Sequence, residues 1–235
     1  MADYGTEAER LKEEYKIIFT EAAKVIRQEI DKFKPNYNCK VCTIPCDLQK
    51  PDIFSVFPPN CPYATWQIKA LSYLTNEYRA KLKVSKKAMM EKKKEYSCNK
   101  CGECCKLAIS EYSPIQLKQR AMRGDKYARE FLSIFIPYES EDMAEAICPD
   151  FYNKLKNCMD ADERLYFYYC SKLGADNLCS DYENRPDICK DFPLTALKIL
   201  PDGCGFLPWR ESVNKLAMSI KAREDLIAFY KEKLG

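Results

Sequence analysis

The residues with the clearest capacity for chemistry are the cysteines, of which the chain has 14. The densest group is Cys98-Asn-Lys-Cys101-Gly-Glu-Cys104-Cys105, four thiols in eight positions. Two residues between cysteines allow a tight turn that aims both thiolates inward. The turn's backbone N–H groups then face the sulfurs and stabilise their charge, as metal-binding loops require. The repeated spacing C-x₂-C-x₂-C is that of three ligands of a [4Fe–4S] cluster. Cys104 and Cys105 are adjacent, and neighbouring side chains diverge. The expectation is that one serves a first metal site and the other a second.

Further along stand Cys170, Cys179 and Cys189, too far apart to build a site alone but able to complete one begun by residues 98–105. Arg185, four residues before Cys189, could neutralise the thiolate charge or hydrogen-bond the sulfurs. The competing reading of Arg185-Pro186 is a surface helix start. A third group, Cys39, Cys42, Cys46 and Cys61, has the spacing C-x₂-C-x₃-C-x₁₄-C, and Pro45 and Pro62 stiffen its loop. It could form a separate iron–sulfur or structural zinc site. Cys204 lies between Gly203 and Gly205, where the backbone can approach a cluster closely. Three four-cysteine sites would use 12 of the 14 thiols. Cys148-Pro149 is a weaker echo of the Cys-Pro step, and Cys158 is expected to pack as a small apolar side chain.

The stretches 98–105 and 170–193 resemble the YkgJ-type cysteine-cluster family, known as a zinc- or iron-chelating domain, and the Cys39–Cys61 group lies outside that family core. Cys98, Cys101, Cys104 and Cys105 match the first half of the family pattern. Cys170, Cys179, Tyr182, Arg185, Pro186, Cys189, Phe192 and Pro193 match the second, with Lys190 where the family often has Arg. The resemblance covers about residues 96–195. It implies metal binding and leaves the reaction open. Flagellin lysine-N-methylases look similar in this region, but no glycine-rich S-adenosylmethionine loop supports carrying that activity over.

Histidine is absent, which removes His ligands and any His general base and leaves all-thiolate coordination. The N-terminus shows neither the basic nor the apolar region of a signal peptide, and no stretch approaches the length of a transmembrane helix. A reducing, cytoplasmic setting is therefore expected, and there clustered cysteines bind metal or catalyse rather than pair as disulfides. Lys plus Arg is 38 against 35 for Asp plus Glu, a net charge of +3, too small to argue for a nucleic-acid partner. No P-loop, G-x-G-x-x-G or G-x-S-x-G occurs.

The elements that must position these thiols are mostly helices. Leu11, Tyr15, Ile18, Phe19, Ala22, Ile26, Ile30 and Phe33 recur at helical spacing and predict an amphipathic helix over 4–34, ended by Pro35. A second helix fits 63–95, with Trp66, Ala70, Leu71, Leu74, Tyr78 and Leu82 on one stripe. Its lysine-rich end is a solvated face or a docking surface for an acidic partner. Ser113-Pro114 predicts an N-cap and first helical residue. Residues 125–136 and 139–147 read as helical, and residues 160–163 as the start of another short helix. The segment 165–170 reads as a strand paired with 178–182 across a Gly174–Asn177 turn. A closing helix fits 209–233.

The expected fold is mainly α, with irregular cysteine-rich metal-binding loops packed between helices and at most a short β-hairpin. Its predicted divisions are a helical N-terminal region (1–97), a cysteine-cluster domain (98–207) and a C-terminal helix (208–235). The leading functional expectation is an iron–sulfur protein of [4Fe–4S] type for electron transfer or support of a redox or methyl-transfer reaction. A redox or acidic protein would be its partner, and no membrane association is expected. The alternatives are a structural Cys₄ Zn²⁺ protein for interaction or metal delivery, and a lysine-N-methylase-like enzyme.

Overall fold

The computed structural model describes residues 4–35, 51–159 and 164–235. The chain divides into two compact units. One comprises residues 12–91 and 215–235, the other residues 1–11 and 92–214. Two long helices, α1 (Tyr4–Asp31) and α10 (Leu207–Leu234), each contribute to both units.

In the first of these units, α1 presents Ala22, Ile26 and Ile30 at steps of four, and all three are buried. Helix α2 (Pro62–Tyr73) starts with Pro at its first turn, where the missing N–H costs nothing. It passes through one π-helical segment, Leu74–Tyr78, into α3 (Arg79–Lys92), so the predicted second helix runs nearly as expected. Trp66, Ala70, Leu74, Tyr78 and Leu82 form its buried stripe, packed with Ala222, Leu226, Ile227 and Tyr230 of α10. The indole N–H of Trp66 donates to the Ile30 carbonyl at 2.7 Å, so this buried ring has its polar atom satisfied.

The second unit is built around a small antiparallel sheet in the order β1 (Ala108–Ser110), β3 (Tyr166–Cys170), β2 (Phe135–Pro137). Ala108 pairs with Tyr168, and Phe135 with Cys170. Alternation along β3 sends Phe167 into one cluster with Leu107, Phe151 and Leu155. Tyr168 enters another with Leu117, Ala128 and Phe131, where its ring meets Phe131 edge-on at 4.9 Å.

The helices covering these clusters are α5 (Pro114–Met122), α6 (Lys126–Ile134), α7 (Glu141–Ile147) and α8 (Pro149–Asn157). Helix α5 opens with a capping box, Ser113 accepting from the Gln116 N–H and Gln116 accepting from that of Ser113. Such a cap contributes about 1 kcal/mol.

Three expectations are corrected. The helix predicted over 125–136 ends at Ile134, because Phe135 turns extended to pair with Cys170. The predicted hairpin partner of 165–170 is also wrong. Both edges of β3 are taken by β1 and β2, leaving 178–182 a single bridge, Leu173 to Cys179. The Gly174–Asn177 turn itself forms, its Asn177 N–H donating to the Gly174 carbonyl at 3.0 Å. Cys158 is not packed away but half-buried at the end of α8. The short helix expected from residue 160 falls outside the described residues. No helix among the described residues is long and apolar enough to cross a membrane.

Candidate metal centre

The C-x₂-C-x₂-C-C stretch forms a turn followed by one helical turn, α4 (Glu103–Lys106). Lys100 and Gly102 both have positive φ, 60° and 79°. Lys100 bears the cost of a left-handed residue, about 1 kcal/mol or more, and thereby turns its N–H onto the Cys98 sulfur at 3.4 Å. Gly102 cannot be replaced without collision: an added Cβ would lie 2.9 Å from the Asn177 carbonyl oxygen. The ligand-rich turn therefore packs directly against the turn that precedes Cys179. At the end of β3 the Lys172 N–H makes an equivalent 3.4 Å contact with the Cys170 sulfur.

Cys204 reaches the same region from the far end of the domain. The Asn99 side-chain amide donates to the Gly203 carbonyl at 2.6 Å. A Cβ on Gly205 would collide with the Ser97 carbonyl oxygen and lie 3.0 Å from the Asn99 nitrogen. Gly205 is thus glycine because two backbones meet there.

Cys98, Cys101, Cys104, Cys105, Cys170, Cys179, Cys189 and Cys204 line one cavity of about 470 Å3. Phe131, Phe135, Phe151, Leu194 and Phe206 line its apolar walls. Lys100, Lys172, Arg185 and Lys198 also border it, against one carboxylate, Asp181. All 11 described cysteines are free thiols. Cys105 is in hydrogen-bond contact with Cys104 and with Cys170, and Cys189 is close enough to feel the charges of Cys170 and Cys179. Cys204 instead feels Cys101 and Cys98. Among the described residues, no three Cys, Asp or Glu side chains converge closely enough to enclose a single metal ion.

The electrostatics of these thiols follow from crowding. The Cys105 thiol is pushed far up, first by its hydrogen bond with Cys104 and then by burial, against an opposing pull from Cys170. Cys170 rises through its bond with Cys105 and through burial. Burial, then the charge of Cys170, pushes Cys189 up to about 11, while the Arg185 guanidinium pulls it down. Burial raises Cys204 as well. Thiols that repel one another's ionisation in this way suit a bound cation, which is the charge needed to hold them as thiolates. With no histidine in the chain the donor set is wholly sulfur, and it fits zinc or an iron–sulfur cluster.

Other sequence candidates are placed differently. Arg185 sits over the Tyr182 ring at 3.6 Å, its Nε–H donating to the Tyr182 carbonyl at 2.8 Å, and Lys100 lies 4.3 Å from the same ring. Pro186 also caps the short helix α9 (Asp187–Lys190), as the helix-start reading of Arg185-Pro186 expects. Cys61 is buried in the apolar core of the unit formed by residues 12–91 and 215–235, at the N-cap of α2. Cys39, Cys42 and Cys46 lie outside the described residues. Of the lysine-rich run, Lys86 pairs with Glu224 at 3.3 Å. Lys93 is drawn inward, donating to the Asp191 carbonyl at 2.5 Å and sitting 5.3 Å from the Phe206 ring; burial lowers its pKa.

Sequence reasoning did not single out Asn99, Glu103, Lys154 or Asp202, and it gave Cys148 no partner. Cys148 donates its S–H to Glu103 at 2.8 Å, and burial, then the Glu103 charge, raises the thiol to about 12. Only the Cys-Pro step and the flanking glycines hinted at this framework.

Neither the comparison with curated proteins nor that with solved structures gives a match. Residues 97–205, which include all eight cavity-lining cysteines, match the model of the CxxCxxCC family, described as a putative zinc- or iron-chelating domain.

Proposed function

We propose that this domain holds iron–sulfur clusters of the [4Fe–4S] type at two four-thiolate sites on one cavity, for electron transfer with an acidic protein partner. The observation that carries the reading is the arrangement of eight free thiols around a cavity of about 470 Å3 without any three closing on one point. A tetrahedral zinc site with Zn–S of about 2.3 Å draws its sulfurs to within about 4 Å of one another. Eight thiols on one cavity are more donors than one four-coordinate ion uses, and the cavity has room for a larger, polynuclear body.

Neighbour relations divide the donors. Cys98 and Cys101 share their surroundings with Cys204; Cys105 lies with Cys104, Cys170 and Cys189, and Cys189 in turn with Cys179. Successive residues on a helical turn point about 100° apart. Cys104 touches Cys105 and so stands between the two sets; assigning it to the first gives each set four thiolates.

A bound cluster supplies a one-electron carrier. The chain supplies the surroundings. The N–H groups of Lys100 and Lys172 stabilise the thiolates they face, and the aromatic and aliphatic walls keep water out. Each loaded four-thiolate site would carry a charge of about −2, and Lys100, Lys172, Lys198 and Arg185 offset it. The lysines are exposed at the rim, where the same charges would steer an acidic partner to the cavity.

The test is iron, zinc and acid-labile sulfide per chain after anaerobic purification, for wild type, Cys98→Ser and Cys189→Ser. The expected result is a brown protein from which each substitution removes a separate share of iron and sulfide. A colourless protein with stoichiometric zinc and no sulfide overturns the iron–sulfur reading in favour of Cys₄ zinc.

A further inference from the structure

Helix α8 contributes no thiol to the cavity, yet polar contacts at its start and within it run to two segments that carry donors of the first proposed four-thiolate set. Cys148, its N-cap residue, is 4% exposed and donates to Glu103 Oε2 at 2.8 Å. The other carboxylate oxygen of Glu103 is held by Lys106 at 3.0 Å. Glu103 opens α4, whose next two residues are Cys104 and Cys105. Six residues along, about 9 Å at about 1.5 Å per residue, Lys154 is 7% exposed and meets Asp202 Oδ1 at 2.5 Å. Asp202 stands two residues before Cys204 in the turn that Asn99 also grips.

Helix α8 is itself fixed. Phe151 and Leu155 pack with Leu107, the residue that ends α4, and with Phe167 of β3. A nearly buried ammonium is costly to maintain unless its partner is held in place, so Lys154 constrains the Asp202 turn in return. The Cys148 thiol acts as a donor, and it does not border the cavity.

We propose that α8 is a strut that sets the spacing of the first four-thiolate site, with Cys148 positioning Cys104 through Glu103 and Lys154 positioning Cys204 through Asp202. Neither residue touches the metal. The inference rests on the metal-site reading above and adds to it the residues that determine the fit of that site. Partners of this kind are worth about 10- to 100-fold in metal affinity.

The experiment uses the full chain, reconstituted anaerobically with ferrous iron and sulfide, and follows metal retention against a chelator alongside the visible spectrum. Circular dichroism of each metal-free variant checks the fold. Cys148→Ser keeps a donor of similar length and Lys154→Arg keeps the cation, so both are expected to retain metal as wild type does. Cys148→Ala and Lys154→Met are expected to weaken retention of one share about 10-fold while leaving the other share in place. Asp202→Asn keeps the size of an exposed side chain but removes the charge facing Lys154, so its fold is checked in the same way, and it should weaken the same share.

Loss of metal from Cys148→Ser equal to that from Cys98→Ser would make Cys148 a ligand and overturn the proposal. So would unchanged retention in Asp202→Asn together with Cys148→Ala or Lys154→Met. A wild-type chain that takes up no metal overturns the metal-site reading and the strut together. Normal wild-type loading with indifferent variants overturns the strut alone.

Discussion

The side-chain amide of Asn99 donates a 2.6 Å hydrogen bond to the carbonyl of Gly203, joining residues 104 apart in sequence and bringing Cys204 beside Cys98 and Cys101. The contact is possible only because Gly205 has no side chain. Its Cβ would fall on the backbone of Ser97 and Asn99, and backbone cannot swing aside as a flexible side chain can. This close approach makes the C-terminal edge of the domain part of the candidate centre.

Gly205→Ala should therefore destabilise the metal-free chain by about 1–3 kcal/mol, the usual cost of forcing atoms into a packed position. For a chain of this size that lowers the thermal midpoint by about 2–4 °C per kcal/mol. It should also reduce metal retention, because Cys204 is displaced. Gly124→Ala is the control. Gly124 has φ of 91° but nothing within 4 Å of an added Cβ, so this change should cost backbone strain and leave metal retention alone. Equal metal retention in both variants would show that the Gly205 contact does not place Cys204.

Tyr182 links the two halves of the thiol set through its ring, which carries Lys100 from the first loop and Arg185 from the second at 4.3 and 3.6 Å. Contacts of this type are worth about 0.5–1 kcal/mol at exposed positions and about 2 when desolvated. Tyr182→Phe keeps the ring and should melt like wild type, whereas Tyr182→Leu should lower the stability of the metal-free chain by about 1–2 kcal/mol. Thermal unfolding by circular dichroism separates them. Arg185→Gln should in addition raise the pH at which metal is taken up, since the guanidinium is what holds the Cys189 thiol down.

The helical frame could be read from the chain because its signal is local. Ala22, Ile26 and Ile30, or Trp66, Ala70 and Leu74, declare a face by spacing alone. The eight thiols that meet at the cavity were likewise marked by spacing, by resemblance and, for Cys204, by flanking glycines. The partner of β3 was not so marked. An aromatic strand states that it will pair but not with which segment, and here β1 and β2 compete better than the nearby 178–182 stretch. The supports were hidden for a related reason. Glu103 and Cys148 are 45 residues apart, and Lys154 and Asp202 are 48 apart. Each of these residues, seen alone, is an ordinary surface carboxylate, lysine or spare cysteine, and only tertiary packing pairs them.

The crowded thiols also make a statement about pH. A free cysteine ionises at about its ordinary value of 9.0, whereas Cys189 in the folded, metal-free chain holds its proton to about 11. Between those values the unfolded chain has released a proton that the folded chain keeps, so rising pH favours unfolding. The stability contributed by this group is fully present below pH 9 and is lost as pH rises through about 11. Cys105, Cys170 and Cys204 are raised too and act in the same direction. Tyr152 and Tyr168, pushed up to about 12 chiefly by burial, add a loss above their ordinary 10.0 that occurs with or without metal.

The window between pH 9 and 10 therefore discriminates. The metal-free chain should lose thermal stability there, and the loaded chain should not, because its thiolates are already ionised against the bound metal. Loading should correspondingly release protons, and the apparent metal affinity should climb with pH. Zinc added to a weakly buffered metal-free sample, with an indicator dye, counts the protons directly. Thermal midpoints that fall equally in the loaded and metal-free chains across that window, with no proton release on loading, would show that these thiols are not the ligands.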